Sequence, residues 1–168
     1  VFIDREYCNR HMSSVIIDST EGATLAMEYL IKQGHRRIGY FHGVDNYDDK
    51  CRYKAYINVL RKYNLPIDES VILRAYFEEA LAYGEMRVFL LKGIKLPEAF
   101  FCSNDEMAWG CVRALKEAGI NVPDDVSVVG FDDNAVAKYN TPDNPINAGD
   151  LNKRVGEPYF IRGYLHYL

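Results

Sequence analysis

The sequence predicts an α/β fold, a doubly wound parallel sheet flanked by helices, and two observations lead to it. Short apolar segments rich in β-branched and aromatic side chains alternate with amphipathic segments of ten or more residues. That alternation is typical of parallel strands joined by right-handed helical crossovers, which place helices on both faces of the sheet. The 168 residues are also 48% hydrophobic and 13% aromatic, which is enough for the core that such a fold requires.

Periodicity and turn residues set the order of the predicted elements. Asp18 precedes the first helix as an N-cap, Glu21 completes a capping box, and Gly34 ends that helix as a C-terminal cap. Turns that contain Pro or Gly, at residues 65–68 and 119–123, separate later helices from the strands that follow. The predicted strands are residues 1–3, 15–17, 37–41, 71–73, 99–102 and 126–129, and the predicted helices are residues 20–33, 48–63, 79–91 and 106–118.

Beyond Tyr139 the pattern changes. Residues 140–145 contain two prolines and two asparagines, which indicates a turn. Residues 150–168 have the pattern of another amphipathic helix. Because a proline inside a helix costs about 3 kcal/mol, we expect Pro158 to kink this helix or to mark its start.

Polar residues follow two of the predicted strands at the point where each strand ends. Residues 99–102 are followed by Asn104 and Asp105, and residues 126–129 by Asp132. The carboxyl ends of parallel strands meet at one edge of a sheet, and open α/β sheets bind their ligands there. The sequence therefore predicts a binding crevice at this edge.

Charge and cysteine content limit the class of protein. A net charge of -4 provides no concentrated basic surface, so we expect this chain not to bind nucleic acid by itself. The four cysteines lack the spacing of a zinc site, which predicts no metal and favours a reducing cytoplasm. We expect no cofactor, because no glycine-rich phosphate loop is present. No segment resembles a signal peptide or a membrane helix of about 18 apolar residues, and the start without Met suggests a fragment.

Four segments match a known family in the same order along the chain. They are residues 15–39, Arg52 with Tyr56, residues 102–108 (Cys-Ser-Asn-Asp-Glu-Met-Ala), and residues 122–133 (Val-Pro-Asp-Asp-Val-Ser-Val-Val-Gly-Phe-Asp-Asp). With these segments the chain resembles the effector-binding half of LacI/GalR-family bacterial transcription regulators. Several long motifs in order are far more specific than a single short pattern.

The resemblance implies a periplasmic binding protein-like fold with one subdomain nearly complete. Residues 1–17 would be a remnant of the N-terminal subdomain and its crossover, residues 18–140 the C-terminal effector-binding subdomain, and residues 141–168 a crossover and terminal helix. The implied partners are a small effector, such as a sugar or related metabolite, and a second copy in a homodimer. DNA contact is implied only through a helix-turn-helix absent from this chain, and contact with a membrane is not expected.

The resemblance also assigns effector contact to five residues, which are Asp4, Arg52, Phe77, Asn104 and Asp132. Their types suit the task, because planar polar side chains pair with vicinal hydroxyls and an aromatic ring stacks on the apolar face of a sugar. Phe77 could instead be a hydrophobic staple in front of a helix.

Three of these residues have structural interpretations as well. Asn104 is a favoured N-cap for the helix that follows it. Asp132 could shape a turn through bonds to its own backbone. Arg52 could be an exposed helix residue paired with Asp48 or Asp49, an arrangement that contributes little to stability.

The function predicted from these features is a ligand-sensing and dimerising module of a transcription regulator, which works without catalysis. One alternative is a periplasmic sugar-binding receptor of the same fold. The other is a phosphotransferase or hydrolase that uses Asp132 and Asp133 as paired carboxylates. His42 follows a strand without a recognisable nucleophile motif nearby, so we interpret it as structural.

Overall fold

The computed structural model describes residues 2–3, 14–132 and 165–167, and it has the predicted α/β architecture. Each of the ten helices and strands predicted between residues 1 and 129 begins and ends within one residue of an observed one. In chain order the elements are β1 (Phe2–Ile3), β2 (Ser14–Ile17), α1 (Ser19–Lys32), β3 (Ile38–His42), α2 (Tyr47–Lys62), a 3-10 turn (Glu69–Val71), β4 (Ile72–Arg74), α3 (Glu79–Leu91), β5 (Ala99–Cys102), α4 (Asp105–Glu117), β6 (Ser127–Val129) and β7 (Leu165–Tyr167).

The main sheet contains four strands in the spatial order β4-β3-β5-β6, and every neighbouring pair is parallel. Its carboxyl ends therefore lie along one edge. In register, His42 at the end of β3 lies beside Arg74 of β4, and Phe41 lies beside Cys102 of β5. This alignment brings the loops after β3, β4, β5 and β6 to the same edge of the sheet.

Two apolar cores cover the two faces of this sheet, which confirms the doubly wound arrangement. Phe41, Phe100 and Cys102 pack with side chains of α3 and α4. Tyr40 and Phe101 pack with side chains of α1 and α2. All five side chains are fully buried, and their alternation follows from the two-residue period of a β-strand.

The ends of α1 follow the rules that the sequence predicts. The Asp18 carboxylate accepts a hydrogen bond from the Glu21 N–H at 2.8 Å, as an N-cap does. At the other end Gly34 has φ of +102°, and the Gly34 N–H donates to the Ile31 carbonyl while the His35 N–H donates to that of Leu30. This is a Schellman motif, which glycine at this position permits at low cost.

The second sheet has the order β1-β2-β7, with β2 parallel to β1 and antiparallel to β7. The prediction of a terminal helix over residues 150–168 is wrong in part, because residues 165–167 form the strand β7. The pairing of Val15 with Tyr167 and of Ile17 with Leu165 gives these residues a backbone partner that a local pattern cannot reveal. Residues 133–164 lie outside the described residues, and the proposed division into 1–17, 18–140 and 141–168 stays a prediction.

Candidate functional site

The candidate site lies where β3, β5 and β6 end. His42 is the last residue of β3, Ser103 and Asn104 follow β5, and Asp132 lies three residues beyond β6. α2 begins shortly after β3 and adds Arg52 to this edge. The predicted crevice position therefore coincides with a cluster of polar side chains.

Arg52 is the central side chain of this cluster. It is 6% exposed. Its guanidinium donates from Nη1 to the Ser103 carbonyl and from Nη2 to Asp132 Oδ1 at 3.1 Å. Its Cζ lies 3.8 Å from the centroid of the Phe131 ring, a cation–π contact. The interpretation of Arg52 as an exposed residue paired with Asp48 or Asp49 is wrong, because long-range contacts to β5 and to the loop after β6 bury it.

Arg52 and Asp132 together present both donors and acceptors. Arg52 Nε is buried and has no hydrogen-bond partner among the described residues. The Asp132 side chain is 36% exposed, and its backbone has φ of +100°. A guanidinium beside a carboxylate, set on an aromatic ring, is an arrangement that can hold adjacent hydroxyl groups.

Asn104 has the structural role that its position predicted. Its Oδ1 accepts a hydrogen bond from the Met107 N–H at 2.9 Å and so caps α4. Its Nδ2 donates to the Phe77 carbonyl at 3.3 Å, which ties β5 to the loop before α3. Contact between Asn104 and an effector stays a prediction.

Phe77 lies in a strained loop against the end of β3. Tyr76 and Phe77 have φ of +52° and +65°, a left-handed conformation that is uncommon for bulky side chains. The half-buried Phe77 ring covers Gly43 so closely that a Cβ at Gly43 would overlap it. Glycine at position 43 therefore lets the ring lie against the backbone. Contact between Phe77 and an effector stays a prediction.

Asp49 was not assigned to the site from the sequence, yet its carboxylate has the most partners there. It is fully buried, and its Oδ1 accepts from the Gly43 N–H at 2.8 Å and from Ser103 Oγ at 2.7 Å. Its Oδ2 faces His42 Nδ1, and the Tyr40 hydroxyl lies 3.4 Å from Oδ1. Burial alone would raise the pKa of Asp49, but the hydrogen bonds outweigh burial and hold the pKa below its usual value.

A sequence signal for Asp49 does exist. Asp49 and Arg52 are three residues apart on α2, so both lie on the same face of the helix. His42, interpreted from the sequence as structural, is buried against Asp49, and its ring centroid lies 4.7 Å from that of Tyr53.

Other predicted features fall elsewhere. Asp4 and Asp133 lie outside the described residues. In the part of the chain that the structure describes, no three His, Cys, Asp or Glu side chains are grouped to hold a metal ion, and no helix is long and apolar enough to cross a bilayer. Burial raises the pKa of the Cys102 thiol well above its usual value.

A family model described as a periplasmic binding protein-like domain matches residues 27–146, which include all the elements that form the site. The chain belongs to this family. Within it, the chain is 32% identical over 143 residues to the probable HTH-type transcriptional repressor ExuR of Bacillus subtilis. It is also 34% identical over 135 residues to the HTH-type transcriptional repressor PurR of Pasteurella multocida. These matches cover 84% and 80% of the chain.

Solved structures lead to the same family. A sugar-binding transcriptional regulator of the LacI family from Escherichia coli, complexed with phosphate, superimposes with a TM-score of 0.76 at 28% identity. The match covers 98% of this chain and 65% of that one. The resemblance to the effector-binding half of LacI/GalR regulators is confirmed by these relatives. The chain spans less than half the length of the two curated relatives, 43% of ExuR and 40% of PurR.

Proposed function

We propose that this chain is the ligand-sensing part of a bacterial LacI/GalR-type transcriptional regulator. A sugar or similar small metabolite binds in the crevice at the carboxyl edge of the sheet, and binding changes the DNA affinity of a helix-turn-helix outside this chain. The single observation that carries the proposal is the pair formed by Arg52 and Asp132 at this edge. A sugar is a suitable effector class because the similar regulator from Escherichia coli is described as sugar-binding.

Residues 18–140 form the effector-binding subdomain in this proposal, and residues 1–17 and 141–168 belong to its neighbour. Arg52, Phe77, Asn104 and Asp132 contact the effector, together with Asp4 from the neighbouring subdomain. The regulator works as a homodimer in the cytoplasm, where its DNA is located. The curated relatives are named as repressors, which favours a regulator over a periplasmic receptor and over an enzyme built on Asp132 and Asp133.

The proposal predicts that a small metabolite raises the melting temperature and that the response requires Arg52. The experiment is a thermal-shift titration of the chain, and of any longer protein that contains it, with neutral sugars, sugar acids, sugar phosphates and purines. A compound at about 100 times its Kd adds about 2.7 kcal/mol to the free energy of unfolding, because it binds only the native state. We expect this gain to vanish in Arg52→Ala and in Asp132→Ala.

A matched control separates the site from a general loss of stability. Arg37 is also paired with an aspartate, Asp68 at 2.8 Å, but at the opposite edge of the sheet. Arg37→Ala should keep the full ligand response. If Arg37→Ala and Arg52→Ala respond alike to the active compound, the site assignment is wrong. If a folded wild type responds to no compound, the proposed effector class is wrong.

A further inference from the structure

Asp49 and Arg52 hold the same residue from two sides. Ser103 donates its hydroxyl to Asp49 Oδ1 at 2.7 Å, and its main-chain carbonyl accepts from Arg52 Nη1. Asp49 and Arg52 are three residues apart on α2. One face of the helix therefore contacts both the side chain and the carbonyl of Ser103 at the end of β5. The position of Ser103 therefore links the carboxylate to the guanidinium.

The other contacts of Asp49 lie at the end of β3 and just after it, and they fix the carboxylate itself. Oδ1 also accepts from the Gly43 N–H at 2.8 Å, and Oδ2 faces His42 Nδ1. The Asp49 side chain is fully buried, and the Ser103 N–H donates to the Phe41 carbonyl at 3.1 Å. A buried carboxylate with this many donors has little freedom to reorient, because each lost bond would leave a polar group unsatisfied.

We propose that Asp49 is a positioning residue for the effector site, which sets the orientation of Arg52 by holding Ser103 in place. Asp49 is too deeply buried to contact an effector, so it acts only through Ser103 and Arg52. Its effect on ligand affinity rests on the proposed function, whereas its effect on the geometry of Arg52 does not. Groups that hold a ligand-binding side chain in this way govern affinity without contacting the ligand.

The geometry of Arg52 can be measured without any ligand. The Nε–H of Arg52 is buried and unbonded within the described residues, so its NMR cross-peak in a ¹⁵N-labelled full chain reports on the local environment. Arg52→Lys identifies this cross-peak by removing it. We expect Asp49→Asn to displace the cross-peak or to remove it by exchange. If the amide oxygen stays with the Ser103 and Gly43 donors, the NH2 group replaces the oxygen that faces His42, and both bonds weaken because the acceptor is no longer charged.

Asp48→Asn is the matched control, since Asp48 is the adjacent residue of α2 and its Oδ1 accepts from Ser19 Oγ at 2.8 Å rather than from Ser103. The cross-peak should stay in place in this variant. Ser103→Ala breaks only one of the Asp49 contacts and should move the cross-peak in a chain that still folds. An unmoved Arg52 cross-peak in Ser103→Ala, or in a folded Asp49→Asn, overturns the proposal.

Ligand binding gives a second readout with two named probes, D-glucose and D-glucuronate, which differ in charge at a single carbon. For a probe that binds the wild type, we expect Asp49→Asn to raise Kd about tenfold, the size of a weakened hydrogen bond to a charged group, and Asp48→Asn to leave it unchanged. An unchanged Kd in Asp49→Asn overturns the effect on affinity. If neither probe binds the wild type, the sugar class of the proposed function loses support, while the Arg52 cross-peak still decides the role of Asp49.

Discussion

The two edges of the parallel sheet use charged residues in opposite ways. At the carboxyl edge, Asp49 and Arg52 are buried and bonded to residues from other elements. At the amino edge, the side chains of Arg37 and Asp68 pair at 2.8 Å while 24% and 32% exposed. Buried charges are costly unless every partner is in place, whereas exposed pairs contribute little. The buried charges of the carboxyl edge therefore hold a fixed geometry, whereas the exposed pair of the amino edge contributes little to stability.

Backbone conformation separates the two edges in the same way. Near the amino edge, where the four helices end, positive φ angles occur at Gly34, Gly93, Gly119 and Asn64, and glycine and asparagine adopt them at little cost. At the carboxyl edge, positive φ occurs at Tyr76 and Phe77, where each such residue costs about 1–3 kcal/mol. Among the residues that the structure describes, strain of this kind occurs at the carboxyl edge, beside the candidate site, which supports the assignment of function to that edge.

The largest expected effect is that of removing the buried carboxylate. Asp49→Ala leaves the Gly43 N–H and the Ser103 hydroxyl without their acceptor, so we expect a loss of about 3–5 kcal/mol in the free energy of unfolding. Arg37→Ala, which breaks the exposed pair with Asp68, should cost about 0–1 kcal/mol. Urea denaturation of both variants measures the difference. Equal losses would contradict the distinction between the two edges.

The second effect concerns strain at Tyr76, which is 55% exposed and therefore contributes little packing. Tyr76→Gly should raise the free energy of unfolding by about 1 kcal/mol, because glycine adopts φ of +52° without the steric penalty. Asn64, with φ of +53°, is the control, since asparagine tolerates this region. Asn64→Gly should change stability by less than about 0.5 kcal/mol. A destabilised Tyr76→Gly in the same urea titration would show that the loop stores no strain there.

The sequence predicted the fold and the edge at which the polar cluster of the candidate site lies, because both depend on local patterns. Strand and helix periodicities are local, and so is the capping of α4 by Asn104. The parallel sheet then requires the strand ends to converge, and Asp132 and Arg52 do meet across 80 residues of sequence.

The burial of the site was harder to predict. The contact between Arg52 and Ser103 depends on how α2 lies over β5, which no local pattern determines. Asp49 looked like one of two adjacent aspartates in the first turn of a helix, where acidic residues are common for electrostatic reasons. Only the tertiary structure distinguishes Asp49 from Asp48, since it buries the first with hydrogen bonds from Gly43 and Ser103 and leaves the second half-buried beside Ser19.

The smallest expected effect lies at the amino edge, at Glu98. Its Oε2 accepts from the N–H groups of Arg36 and Arg37. The bond from Arg36 above all lowers the pKa of Glu98, against an opposing effect of burial. A carboxyl group whose pKa is lower in the folded state stabilises the fold above its unfolded pKa of about 4.3. That contribution is lost as the pH falls through the folded-state pKa.

Glu98→Gln keeps an acceptor oxygen but removes the charge. We expect it to cost less than about 1 kcal/mol at pH 7, because solvent screens this exposed group. As the pH falls through the folded-state pKa, the wild-type carboxyl group takes up its proton, so the difference between the two proteins should shrink towards zero. Urea titrations at a series of pH values from 7 downwards measure this change. A difference in the free energy of unfolding that persists at low pH would mean that Glu98 acts through packing rather than charge. The two edges would then differ less than the comparison above states.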